Sequence, residues 1–169
     1  MTVQEAIRSR RSIRKYKEAP VPPEHVKLML EAAMMAPSAI NGRPWEYAVI
    51  RDRELLGKIV EISPYAKPLL QAPVAVLVSA RPDLTPPHVQ FWQQDCGAAI
   101  QNLLLQALEL GYGTCWCGLY PMVDRSMAVK ALLGLSGEAT PLGIIAIGVP
   151  DEAPAARGFY DESRVKYFG

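Results

Sequence analysis

Residues 96–111 read CGAAIQNLLLQALELG. Apolar residues recur on almost every side of a helical turn, no proline interrupts them, and Gly111 stands where a helix can end on a left-handed residue. The spacing predicts the longest helix of the chain, over about residues 88–110. Gly97, Ala98 and Ala99 are small enough to let another helix approach closely. A helix that is apolar all round has to be covered all round. In a chain of 169 residues, part of that cover is expected from a second subunit.

Outward from this helix, strands and helices alternate. TCWCGLY (114–120) follows as a strand, and VAVLVSA (74–80), an unbroken apolar run, precedes it as a strand covered on both faces. WEYAVI (45–50) and LGIIAIGV (142–149) complete four strands. A helix near 53–62 carries Leu55, Leu56, Ile59 and Val60 on one face. Thr2 and Glu5 have the spacing of a capping box, which starts a short first helix running to about Arg10. SIRKYKEAPV then reads as extended and irregular. Pro22 and Pro23 start a helix over EHVKLMLEAAMMA, and Pro37 stops it. Asp124 is a candidate N-cap for a helix over 124–135. Alternation of this kind predicts a layered α/β or α+β domain with helices over a sheet, in one unit spanning residues 1–169. Half of the residues are hydrophobic, as in an ordinary globular chain.

Charge is unevenly placed. Residues 8–17 hold six cations and no acid, so residues 1–17 sum to +5 while the remainder sums to −4. A protein neutralising many phosphates of a nucleic acid would be basic overall; a local cationic patch fits a small anion better. Ser12, inside the cluster, adds a hydroxyl suited to phosphate oxygens. The plainer reading is a solvated basic arm. Three cysteines, Cys96, Cys115 and Cys117, form no disulfide framework, and reduced thiols in the cytoplasm are expected. The amino end shows no export signal, and no run reaches the roughly 18 apolar residues of a membrane span.

GYGTCWCG lacks the dinucleotide-binding spacing, because Trp116 stands where the third glycine belongs and the stretch opens a strand instead of a helix. Cys115 and Cys117 share one face of that strand. With only His25 and His88 available they make no zinc set, and buried small hydrophobes are the better reading of them. PSAINGRP (37–44) is a loop offering Ser38 and Asn41 between two prolines.

Taken in order, RRSIRKY (10–16), APSAINGRPW (36–45), APVAVLV (72–78), IQNLLLQALELGYGTCW (100–116) and YDESRVKY (160–167) resemble the nitroreductase family of FMN-dependent oxidoreductases over nearly the whole chain. The resemblance implies an α+β fold: a central, mainly antiparallel sheet of four strands wrapped by helices. It also implies an intertwined homodimer, with the long helix at its centre and a C-terminal strand exchanged between subunits. FMN would lie at the subunit interface. Arg10, Arg11 and Ser12 match positions that hold its phosphate and nearby ribityl oxygens, and Arg14 matches a cation beside the flavin N1–O2 edge. Pro37, Ser38, Ala39 and Asn41 match the loop that the other subunit lays against the flavin. Gly118 and Leu119 fall near backbone facing the N5–O4 edge. Arg157, or else Arg164, matches a tail cation at the phosphate. Arg43 departs from the family pattern, Lys67 stands near a position where some relatives use asparagine, and Cys96 has no assigned role.

The implied activity is ping-pong hydride transfer from NAD(P)H through flavin N5 to a small-molecule acceptor such as a nitroaromatic or a quinone. The cofactor carries the chemistry, so no side chain is expected to act as acid or base. Neither nucleic acid nor membrane is an expected partner. Alternatives are a family member with another flavin reaction, such as dehalogenation or flavin fragmentation, a flavin-binding protein without turnover, and a dimer gripping nucleic acid with its basic arm.

Overall fold

Strands β1 (Trp45–Ile50), β2 (Val74–Ala80), β3 (Gly113–Gly118) and β4 (Thr140–Gly148) form one antiparallel sheet in the order β1-β2-β4-β3. The computed structural model describes residues 1–169 apart from 136, 156, 157 and 159. The central position of β2 explains its uninterrupted apolar sequence: every one of its residues is buried, because both faces of the sheet are covered. Val76 and Val78 face one side and Ala75 and Leu77 the other.

Helices α2 (Pro23–Met34) and α4 (Trp92–Glu109) cover the first face, where Met29, Ile100 and Leu103 meet Val76 and Ile145. The second face is covered by α3 (Arg53–Ile62), α5 (Val123–Leu132) and a 3₁₀ segment, Pro64–Leu70. There Leu56, Ile59 and Leu69 meet Leu77 and Ile144. The first helix, α1 (Val3–Ser9), packs on α4 and begins with the expected capping box, in which the Glu5 amide donates to Thr2 Oγ1 and the Thr2 amide to Glu5 Oε2.

Several boundaries differ from the sequence expectation for local reasons. Helix α4 starts at Trp92, not near 88, because a turn closed by the Val89 amide on the Pro86 carbonyl precedes it. Its end is as expected: Gly111 is left-handed (φ 83°), its amide donates to the Leu108 carbonyl, and the Tyr112 amide reaches back to the Ala107 carbonyl. Gln93, Gln94 and Gln101 are exposed, so α4 is not apolar all round. Strand β3 stops at Gly118 because the Leu119 and Tyr120 amides both turn to the Leu142 carbonyl. Helix α5 has Met122 at its N-cap position, with no side-chain cap, and Asp124 lies in its first turn, where a carboxylate still opposes the positive end of the helix dipole. The tail from residue 160 has one 3₁₀ turn, Glu162–Arg164, is largely exposed, and forms no strand among the described residues.

Candidate cofactor site at the open edge of the sheet

The basic segment after α1 is fixed along the sheet. Ser12 pairs with Thr114 at the start of β3, where the Ile13 amide donates to the Thr114 carbonyl at 2.8 Å. Farther on, Tyr16 pairs with Pro150, and the Lys17 amide donates to the Val149 carbonyl at 2.9 Å. The Glu152 carboxylate accepts from the Arg14 and Lys15 amides. Tyr16 is buried, and its hydroxyl donates to the Ile13 carbonyl at 2.6 Å; burial pushes this phenol well above its ordinary range. Two glycines make the close approach possible. A Cβ on Gly113 would lie 2.7 Å from Ile13 Cβ, and one on Gly148 would lie 2.8 Å from the Tyr16 ring. This is an anchored segment, not a loose arm.

Its cations are presented beside β3. Arg10 closes α1, and Arg10 and Arg11 line a cavity of about 280 Å³ with Leu104, Leu108 and Thr114. Arg11 Nε is shut off from solvent and has no acceptor among the described residues. A buried guanidinium N–H without an acceptor is costly. An anionic oxygen would satisfy it, so the residues present fit a phosphate. Ser12 is half-buried beside them, and Arg14 is exposed farther along.

Strand β3 is an edge, paired only with β4 and, at its start, with the basic segment. Because the Thr114 carbonyl accepts from Ile13, it points away from β4. Backbone groups alternate along a strand, so those of Trp116 and Gly118 also face the open edge. Gly118 thus offers an exposed edge amide, whereas the Leu119 amide is taken by Leu142 and its side chain is fully buried. On the opposite face, Cys115 and Cys117 pack in the core. Cys117 Sγ donates to the Cys115 carbonyl at 3.9 Å, and the interaction of the two neighbouring side chains draws the Cys115 thiol down and pushes the Cys117 thiol up. Burial pushes Cys96 up to about 12.

The loop after α2 is the second half of the expected site. Ile40, Asn41 and Arg43 all have positive φ (49°, 57° and 48°), a left-handed conformation that is unfavourable for a β-branched residue such as Ile40, while Gly42 between them is right-handed (φ −70°). Ser38 Oγ accepts from the Arg43 amide, and Arg43 Nε donates to Asn41 Oδ1, each at 3.0 Å. Arg43 is therefore spent partly on holding Asn41. The Ala39 amide donates to Asp95 Oδ1 at 3.0 Å. Pro37, Ser38 and Ala39 line a second cavity, of about 420 Å³, with Phe91, Asp95 and Ala98.

The two halves do not meet within one chain. The loop meets α4 around Asp95–Ala98 and the arginines meet it around Leu104–Leu108. Ten residues of helix separate Ala98 from Leu108, about 15 Å along the axis. Arg10, Arg11, Ser12 and Gly118 share the β3 edge; Pro37, Ser38, Ala39 and Asn41 sit toward the other end of the helix. Arg157 lies outside the described residues. Arg164, in the tail, pairs with Asp161 at 2.8 Å, and Lys67 is exposed on the Pro64–Leu70 segment. Sequence reasoning missed Glu152, Tyr16 and Asp95, whose partners are between 3 and 138 residues away. The one available signal was Asp95 itself, a lone acid at the head of the apolar run CGAAI. Among the described residues no group of His, Cys, Asp and Glu could hold a metal ion, and no helix is long and apolar enough to cross a membrane.

Comparison with known proteins places the whole chain among relatives of one kind. A Methanothermobacter thermautotrophicus protein, provisionally named NADH dehydrogenase/NAD(P)H nitroreductase, is 43% identical over 98% of this chain and 86% of its own length. An FMN-dependent nitroreductase from Clostridium difficile R20291 superposes with a TM-score of 0.89 at 28% identity, covering 99% of both chains. A nitroreductase-like protein from Desulfovibrio desulfuricans, solved in complex with FMN, superposes with a TM-score of 0.88 at 30% identity, over 100% of this chain and 99% of that one. The profile of the nitroreductase family matches residues 7–149, and the chain belongs to that family of NAD(P)H oxidoreductases.

Proposed function

We propose that the protein binds FMN as a homodimer and uses NAD(P)H to reduce small acceptors such as nitroaromatics or quinones. The observation that carries this reading is the solvent-shielded Arg11 Nε, without an acceptor among the described residues, in an arginine-lined cavity at the sheet edge. Arg10, Arg11 and Ser12 would hold the phosphate. Arg14, farther along the same segment, would place positive charge near the flavin N1–O2 edge, and the outward Gly118 amide would face the N5–O4 edge. When bound, FMN supplies the hydride-carrying chemistry between NAD(P)H and the acceptor.

The separation of the halves supports the homodimer. A two-fold partner brings the loop end of one α4 beside the arginine end of the other and completes two equivalent sites. Exposed apolar side chains on α1 (Val3, Ile7), at the end of α2 (Met34 and the following Met35) and in the tail (Tyr167, Phe168) give such a partner apolar surface to cover. In this assembly the Ser38 hydroxyl and Asn41 carboxamide orient the cofactor that the partner's arginines anchor.

The test is one visible spectrum of purified protein, recorded before and after NADH or NADPH is added without oxygen. A yellow protein that bleaches with either nucleotide is expected. Bound flavin that neither nucleotide reduces would remove the reductase assignment, and protein that takes up no FMN would remove the cofactor.

A further inference from the structure

Among the described residues, Asp95 is the acid most at odds with its surroundings. It lies in the first turn of α4 with 6% of its surface exposed. Oδ1 accepts from the Ala39 amide, while Oδ2 is shut off from solvent and has no partner among the described residues. A buried carboxylate held by a single hydrogen bond is expensive. The fold bears that cost beside the only non-glycine residues with positive φ among the described residues, Ile40, Asn41 and Arg43. The turn over Ala39–Asn41 is closed by the Asn41 amide on the Ser38 carbonyl and the Gly42 amide on the Ala39 carbonyl. Both bonds are internal to the loop, as are those joining Ser38, Asn41 and Arg43. None of them ties the turn to the helix beneath it. Asp95 does, at Ala39, one residue before the strained Ile40.

We propose that Asp95 is a positioning residue. Its carboxylate clamps the Pro37–Arg43 loop to α4 through the Ala39 amide, and so sets how Ser38 and Asn41 are presented to the cofactor of the second subunit. The clamp rests on the site reading above only in its second half. The loop's attachment can be measured with no flavin present.

An acceptor at the Oδ1 position is what the clamp requires. Asp95→Asn keeps that acceptor and removes the charge, so it separates positioning from electrostatics. Asp95→Ala removes both. Hydrogen–deuterium exchange of the peptide covering residues 37–44, without added FMN, reads the clamp directly. Expected is at least tenfold faster exchange in Asp95→Ala and near-wild-type exchange in Asp95→Asn, with the β2 and β4 peptides unchanged in both as evidence of folding. FMN titration reads the consequence: a weaker Kd by about tenfold in Asp95→Ala, recovered in Asp95→Asn.

Unchanged loop exchange in Asp95→Ala would overturn the clamp. An equal defect in the two variants would overturn positioning in favour of charge. Faster loop exchange with unchanged FMN affinity would overturn the link to cofactor presentation. If wild-type protein binds no FMN, the cofactor reading fails and that link fails with it, while the exchange measurement still decides the clamp. Should Asp95→Ala fail to fold, Asp95→Ser, whose acceptor is too short to reach Ala39 as well, is expected to exchange the loop faster than both wild type and Asp95→Asn; wild-type exchange in it would overturn the proposal.

Discussion

Gly113→Ala tests whether the cationic segment owes its position to the close approach at the start of β3. The added methyl would lie 2.7 Å from Ile13 Cβ and 2.8 Å from both Ile13 γ carbons. Ordinary carbon contacts lie at about 3.5–4.0 Å, so the two backbones must separate by roughly 1 Å. Ile13 cannot turn aside, because its Cβ is itself the point of contact. The adjacent Ile13–Thr114 hydrogen bond, 2.8 Å long, would open with it. Overpacking costs about 1–3 kcal/mol and the lost bond about 1 kcal/mol, offset by about 0.4–1 kcal/mol from the stiffer unfolded chain. A net loss of about 1–3 kcal/mol corresponds to a melting temperature lower by roughly 3–10 °C in a chain of this size. The same shift moves Arg11 and Ser12, so FMN affinity should fall by about tenfold, the worth of one charge-assisted contact. Gly57→Ala is the matched control. It lies inside α3 with nothing within 4 Å of the new methyl, and should stabilise by about 0.5–1 kcal/mol. The assays are thermal unfolding by circular dichroism and FMN titration by flavin fluorescence. A Gly113→Ala protein that melts with the wild type and binds FMN equally well would refute the reasoning.

Arg11→Ala should weaken FMN binding by roughly 10- to 100-fold, from the loss of a contact worth about 1.5–3 kcal/mol, with little change in the melting temperature of the flavin-free protein; unchanged affinity would place the phosphate elsewhere. Glu5 is held below its usual carboxylate range by its bonds from the Thr2 amide and hydroxyl. The stabilisation it gives α1 is therefore present above its unfolded value and is lost as pH falls through the lower folded value. An NMR titration should show this depressed midpoint, rising only part of the way toward the ordinary range in Thr2→Ala, which loses the hydroxyl and keeps the amide; a normal midpoint in the wild type would deny the capping box.

Much of the local structure was legible because it depends on residues only a few positions apart. The capping box of Thr2 and Glu5, the apolar face of α3, the left-handed stop at Gly111 and the unbroken apolar strand β2 each follow from their own neighbours. The misplaced starts of α4 and α5 show the limit of such reading. Neither helix has a side-chain cap: Phe91 and Met122 stand at the N-cap positions and bond no free amide, so each start is set by the turn before it and not by a polar residue that the sequence displays.

The sequence by itself determined the order of helices and strands, the concentration of charge in residues 8–17 and the polar loop between Pro37 and Pro44, because composition and periodicity act along the chain. Only the tertiary structure decided that Ser12 lies against Thr114, that Arg11 keeps a buried N–H without an acceptor among the described residues, that Gly118 turns its backbone to an open edge, and that Asp95 holds Ala39. It also decided that loop and arginines stand about 15 Å apart along α4. These relations join residues tens of positions apart, and they are fixed by how the two helical layers close on the sheet, which no local pattern of residues encodes.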